Sequence, residues 1–266
     1  MKLSLSTLGC PGWSWNEIFA TAKDLGMNGI EVRGVANEMF APAISVFNQG
    51  KRMETLERIE KSGMQLSMLT SGACLGGADS DKYMQEAKAY IDFAEIVKSP
   101  YVRVMVSSVP QPTGKEDLAQ TRELCAYAEG KEVKVLIETN GALANSQALA
   151  QMMRTIHSPS SGVLWDIHHP YRFYHETPKE TYANLKDWIC YLHVKDSVMK
   201  DGQVEYRMMG YGDVPVFDTL KILHEGGYDG YISLEWVKRW CPDLQEPGIV
   251  FAHYATYMRY LLNQLD

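Results

Sequence analysis

The sequence predicts an α/β fold, a closed (β/α)8 barrel, on three observations. Short apolar runs of strand length alternate with amphipathic helical stretches eight times within 266 residues. Four of those runs end on an acid or an imidazole: Glu138 after VKVLI, Asp166 after GVLW, His193 after CYL and Glu235 after YISL. The glycine-rich first turn of a doubly wound sheet, GxGxxG, is missing. No linker, low-complexity tract or short repeat breaks the alternation, so residues 1–266 read as one domain.

Taken in order, the first strand is expected over 3–8, and Ser14 stands where it can cap a helix reaching Leu25. GIEVR, at 29–33, is the second strand. The stretch 44–62 reads as the second helix, ended by Gly63. A third strand over 64–70 precedes a helix over 79–97, which Pro100 stops. The fourth strand covers 101–109, followed by a short helix over 117–129 and the fifth strand, 133–138. Residues 146–156 are helical, 162–167 the sixth strand, 177–188 helical and 189–195 the seventh strand. A polar excursion, SVMKDGQVEYRMMGYGD, carries a turn signal at Asp201-Gly202. A helix near 217–224, the GYDG turn, the eighth strand over 231–235 and a last helix over 248–265 complete the series.

Composition narrows the function. A hydrophobic fraction of 45% supports a sizeable core. With 26 basic against 33 acidic residues the formal charge is -7, which disfavours a nucleic-acid surface. The five cysteines are odd in number and lack a CxxC pair, so neither a disulfide framework nor a thiolate zinc site is indicated. A reducing cytoplasm is the expected compartment. The N-terminal MKLSLSTLGCPGW lacks an apolar core of signal-peptide length, and no stretch nears the roughly 20 apolar residues of a membrane span. A soluble enzyme, free or as a homo-oligomer, is the expectation.

Side chains alternate faces along a strand, so counting by twos tests whether the four groups share the interior. Leu136 shares a face with Glu138, Leu164 with Asp166, Tyr191 and Lys195 with His193, and Ser233 with Glu235. All four groups lie at carboxyl ends of strands, where barrel active sites form. Three carboxylates gathered together would repel one another, and a divalent cation removes that conflict. The ligand set is therefore Glu138, Asp166, His193 and Glu235, its oxygen-rich character favouring manganese, magnesium or cobalt, with zinc as the alternative. Glu138 and Glu235 also lie across the barrel mouth from each other. A keto-sugar chelated between them has a C–H next to its carbonyl acidified by the metal. One glutamate can remove that proton and the other deliver one from the opposite face, through an enediolate.

The stretches TLGCPGWSWNEIFATAKDLGMNGIEVRG, IETNG, WDIHH, HVKD, MGYGDVP and GYDGYISLEW give the chain its family likeness. It resembles the sugar phosphate isomerase/epimerase family of the xylose isomerase-like TIM barrel superfamily, which includes ketose 3-epimerases, hydroxypyruvate isomerases and inosose dehydratases. The resemblance implies the same fold and the same four ligands. It also implies that His169, three after the aspartate, contacts substrate oxygens, whereas strict alternation favours His168. Lys195 shares the face of His193 and either binds a substrate hydroxyl or pairs with Asp196 or a glutamate. Arg207, just before MGYGD, takes the place of a substrate-binding cation in related proteins, or is a solvated hairpin arginine. Glu31, Arg33 and Arg103 are charges inside a barrel and must be paired, Glu31 being also a candidate substrate contact. Trp13, Trp15, Trp165 and Trp236 flank strand ends, where they suit the apolar faces of sugars or simply pack. The fourth helix is shorter than related chains usually have.

The expected activity is a divalent-metal-dependent isomerase or epimerase acting on a small sugar or keto-sugar, with Glu138 and Glu235 as the acid/base pair. The alternative is an inosose-type dehydratase working through the same enediolate, with His169 or Lys195 protonating the departing hydroxyl. An endonuclease on abasic DNA, a third branch of the superfamily, needs more metal-binding histidines than the seven present supply, and a basic groove.

Overall fold

A computed structural model describes residues 1–77, 79–106 and 115–265. The apolar runs form strands β1 (Lys2–Ser6), β2 (Gly29–Val32), β3 (Gln65–Leu75), β4 (Tyr101–Val106), β5 (Lys134–Glu138), β6 (Ser161–Asp166) and β7 (Ile189–Val194). The excursion forms a hairpin of β8 (Asp196–Lys200) and β9 (Gln203–Arg207), and β10 (Tyr231–Leu234) is the last strand. The barrel closes in the order β1-β10-β7-β6-β5-β4-β3-β2. The predicted (β/α)8 fold is present.

Among the described residues nine α-helices join these strands: α1 (Trp15–Asp24), α2 (Arg52–Lys61), α3 (Ser80–Val97), α4 (Lys115–Ala128), α5 (Ser146–Ile156), α6 (His168–Tyr174), α7 (Pro178–Leu185), α8 (Val216–Glu225) and α9 (Pro247–Leu262). None of them is long and apolar enough to cross a membrane. Ser14 caps α1 as expected. Its hydroxyl accepts from Glu17 N and the Glu17 carboxylate accepts from Ser14 N at 2.7 Å, a reciprocal capping box. Thr177 and Glu180 repeat the device at α7.

By packing, the chain divides into two compact units, one of Met1–Gln65 with Leu192–Asp266 and the other of Leu66–Tyr191. In the first, β1 pairs in parallel with β10 and with β2, and Leu5, Ile18, Ile30, Phe251 and Met258 are wholly buried. In the second, β3, β4, β5 and β6 run parallel in that order, with Leu136 opposite both Arg103 and Gly162. Its core includes Leu69, Tyr90, Val104, Ile137 and Val163, again without exposed surface.

Three elements differ from the sequence expectation. The helix expected over 44–62 begins only at Arg52, as α2, and a short 3-10 turn at Ser45–Phe47 precedes it. Ile44 and Asn48 have extended backbone angles, and the Asn48 side chain accepts from Lys51 N at 3.1 Å, as a residue just ahead of a helix does. Strand β3 runs on to Leu75 rather than stopping at 70, because its register against β4 shifts between Thr70 and Cys74. Ser71 stitches that shift, its hydroxyl donating to Arg103 O at 2.6 Å and accepting from Ala73 N at 3.2 Å. Helix α6 lies where no helix was expected, between the sixth strand and the helix over 177–188; its Pro170 stands in the first turn, where a proline costs a helix no hydrogen bond. The last residues of the expected fourth strand, 107–109, lie outside the described residues.

All five cysteines are free, as their spacing implied. Burial pushes the thiols of Cys10 and Cys125 up from 9.0 to about 12 and about 11. The folded chain therefore holds these protons where the unfolded chain loses them. Their contribution to stability is complete below pH 9 and declines as the pH rises from 9 towards 12. Neither thiol should react with a thiol reagent at pH 8 until the protein is denatured; immediate labelling of Cys10 in the folded state would contradict this.

Candidate active site

In the unit Leu66–Tyr191, β5 ends on Glu138 and β6 ends on Asp166, and both side chains are buried. Thr139, the next residue of IETNG, ties the two strand ends together. Its hydroxyl accepts from Asp166 N at 2.9 Å and donates to Asp166 O at 3.1 Å, while its own N donates to Leu164 O. The result brings a carboxylate oxygen of Glu138 and one of Asp166 within 4.8 Å of each other. Arg103, on β4 in register with Leu136, neutralises Glu138. Its Nε donates to Oε2 at 2.5 Å, Nη2 pairs with the same oxygen, and Nη1 donates to Ser71 O at 3.0 Å. Asp166 Oδ1 accepts from His168 N at 2.9 Å, so the aspartate also holds the start of α6.

The two histidines of WDIHH have different environments. His168 is wholly buried, whereas the His169 side chain keeps 14% exposure, enough to be reached from outside. His169 Nδ1 lies 2.8 Å from Thr139 O, 3.7 Å from Glu138 Oε1 and 3.7 Å from Asp166 Oδ2. A carbonyl can only accept, so Nδ1 carries the proton in this bond and Nε2 is the nitrogen left for a ligand. Ile167 already has helical backbone angles, so strand alternation does not extend past it. Residues three apart then share a side, which puts His169 with Asp166. Asp166, His168 and His169 all have ligand atoms within 4.8 Å of one another.

In the other unit, β7 carries His193 next to its last residue and β10 ends one residue before Glu235. These two also present ligand atoms within 4.8 Å of each other. A buried polar chain runs through them. Ser6 Oγ donates to Glu31 Oε1 at 2.9 Å, Glu31 Oε2 meets His193 Nε2 at 2.9 Å, and His193 Nδ1 lies 3.5 Å from Glu235 Oε1. Lys195 donates to the other oxygen, Glu235 Oε2, and is itself buried. Lys195 thus pairs with a glutamate.

Asp196 has another task. Its carboxylate accepts from the backbone N–H groups of Ser197, Gly210 and Gly212 at 2.9 Å and of Val214 at 3.2 Å, fastening the MGYGDVP loop beneath the β8–β9 hairpin. Burial pushes its carboxyl up, against the pull of those donors. Gly212 is required by this closeness: a Cβ there would stand 2.0 Å from Asp196 Oδ1 and 2.4 Å from Ser197 O. Gly212→Ala should therefore cost about 1–3 kcal/mol, the range for overpacking a tight site, measurable as a lower midpoint in urea. An unchanged midpoint would refute the packing argument. Arg207 lies on this hairpin in register with Asp196 and is held by Glu205 Oε1 at 2.6 Å, not in the His193–Glu235 group.

Sequence reasoning found the strand-end groups and left Thr139 and the fastening role of Asp196 unnoticed. The tight MGYGD glycines, 14 and 16 residues after an aspartate, were the available signal for the second.

The donor set suits a divalent cation. Arg103 and Lys195 each occupy one oxygen of a glutamate, and in both cases the other oxygen, Oε1, faces an imidazole. His193 has Nε2 on a carboxylate, one of the partners that metal-bound histidines commonly give to their second nitrogen. A family model described as xylose isomerase-like TIM barrel matches residues 19–253. The chain belongs to the xylose isomerase-like TIM barrel family. Among its relatives is a fructoselysine 3-epimerase of Shigella flexneri, 23% identical, with 98% of each chain covered. The solved structures this xylose isomerase-like barrel resembles include the probable 3-DHS dehydratase AsbF from Bacillus anthracis, at TM-score 0.80 and 16% identity over 97% of this chain and 99% of that one. Another is the IOLI protein with a bound zinc atom, at TM-score 0.80 and 15% identity over 100% and 99%.

Proposed function

We propose that this barrel, as one domain over 1–266, is a divalent-metal-dependent enzyme of the isomerase class that epimerises or isomerises a small sugar or keto-sugar. One observation carries the reading: each of two strand-end glutamates has one oxygen neutralised by a buried cation and the other directed at an imidazole. Glu138, Asp166, His193 and Glu235 are the ligands in this reading, and their strands β5, β6, β7 and β10 are consecutive in the barrel order. The donor types suit manganese, magnesium or cobalt, with zinc as the alternative. When bound, the ion polarises a carbonyl and offsets the negative charge that grows on it.

The chain's own residues do the rest. One of Glu138 and Glu235 removes the proton from the carbon beside the carbonyl, and the other returns one to the opposite face, which inverts the centre. Return to the neighbouring carbon gives aldose–ketose isomerisation instead. His169, through Nε2, and Lys195 bind substrate oxygens, while the fixed guanidinium of Arg103 keeps Glu138 aimed. The relationship to a fructoselysine 3-epimerase supports the sugar-epimerase reading. The likeness to a probable dehydratase, with buried Lys195 beside Glu235, favours a second: loss of a β-hydroxyl protonated by Lys195 or His169.

Incubating a panel of sugars and keto-sugars with the manganese-loaded protein in deuterium oxide, followed by NMR, tests both. Deuterium at a carbon next to the carbonyl in an isomeric product is the expected result, an unsaturated product selects the dehydratase, and no exchange with any sugar sinks the reading. Arg207 is assigned the outer end of the substrate. Arg207→Ala should raise KM about tenfold or more with kcat retained, the loss expected of a hydrogen bond to a charged group. An unchanged KM would leave Arg207 only as the partner of Glu205.

A further inference from the structure

Glu31 sits in mid-strand on β2, wholly buried, and takes no part in the chemistry described so far. Its contacts give it a definite task. Oε1 accepts the hydrogen of Ser6, whose own oxygen accepts from Leu8 N at 3.4 Å. The carboxylate is therefore fixed in rotation, with Oε2 presented to His193 Nε2 at 2.9 Å. An ionised carboxylate only accepts, so the imidazole must donate there. A neutral ring that carries its proton on Nε2 has its lone pair on Nδ1, the atom that lies 3.5 Å from Glu235 Oε1. Two electron-rich atoms facing each other at that distance repel unless a cation joins them, and Lys195 is engaged with the other oxygen of Glu235.

We infer that Glu31 is a positioning residue that fixes His193 in the Nε2–H tautomer, so that Nδ1 is the atom His193 offers to the divalent ion. The inference rests on the metal reading above and deepens it. It accounts for a buried acid that ligates nothing itself, and for the serine behind it: Ser6 orients Glu31, Glu31 orients His193, and the ring offers one defined lone pair. Carboxylates behind metal-binding histidines raise the basicity of the ligand and hold the ring plane.

The test is 15N NMR of histidine-labelled protein at pH 8, metal-free and loaded with diamagnetic Zn2+ or Mg2+, the His193 signals being assigned by their loss in His193→Gln. The expected spectrum has a proton directly coupled to Nε2 and an unprotonated Nδ1 whose shift moves on loading. Glu31→Gln, which preserves shape, should weaken manganese binding about 10- to 100-fold by calorimetry. The manganese concentration giving half-maximal activity should rise in parallel, with the substrate KM unchanged at saturating manganese. A purely structural role for Glu31 would lower thermal stability without moving the tautomer or the metal affinity. A ring protonated on Nδ1, or manganese binding by Glu31→Gln as tight as in the wild type, overturns the inference whatever the activity. Failure of the wild type to bind any divalent ion, with the Nε2–H tautomer intact, overturns the metal reading and upholds Glu31's hold on the ring.

Discussion

Glu138→Gln and Glu235→Gln should each lower kcat by about 10^2- to 10^4-fold on the true substrate, the range for removing a general acid or base. Glutamine keeps the shape and one oxygen of each side chain but can neither take nor give the proton. The loss should persist at saturating manganese, which separates a missing base from a weakened ligand. KM should change far less than kcat, because the interaction removed is made chiefly in the transition state. Both variants leave a buried cation, Arg103 or Lys195, without its anionic partner, so folding is to be verified by circular dichroism before activity is compared. Turnover within a few-fold of wild type in either variant would remove the two-base mechanism.

Arg103→Met should be the most destabilising single change at the site, by about 3–5 kcal/mol, the cost of leaving one partner of a buried ion pair uncompensated. Arg103 is 6% exposed and Glu138 1%, so water cannot replace the guanidinium. The same change frees Ser71 O, which accepts from Nη1, at the register shift of β3. Urea denaturation followed by tryptophan fluorescence reads the cost directly. Added divalent metal should recover part of it, since an ion bound only to the folded state stabilises by mass action and supplies the missing positive charge. A loss under 1 kcal/mol would mean that Glu138 is neutralised by something other than Arg103.

The two glutamates are neutralised by cations of different kinds. Glu138 faces a guanidinium that does not lose its proton in proteins, and Glu235 faces a lysine, whose ammonium is a compact donor on a flexible stem. Exchange of Arg103 for lysine is accordingly not conservative, because Arg103 uses three nitrogens on two different partners and lysine has one.

Local pattern sufficed for much of this architecture. Strand and helix runs are periodic in the sequence, and the cap at Ser14 is legible because a cap acts within three residues. The hairpin after His193 was legible for the same reason: a turn at Asp201-Gly202 needs positive φ, and both residues have it, at 51° and 76°. Where a neighbour on another strand decides the outcome, the pattern was silent. Ser71 bridges β3 to Arg103 where β3 runs on past Thr70, and Arg103 reaches Glu138 on the next strand.

Strand parity and run length are short-range properties, and they suffice for the barrel and for the four strand-end groups Glu138, Asp166, His193 and Glu235. Only the tertiary structure decided who neutralises whom. Arg103 meets Glu138 across 35 residues, Lys195 meets Glu235 across 40 and Glu31 meets His193 across 162. Those pairings follow from the register of parallel strands and from the need to compensate every buried charge, and neither can be read from one segment at a time.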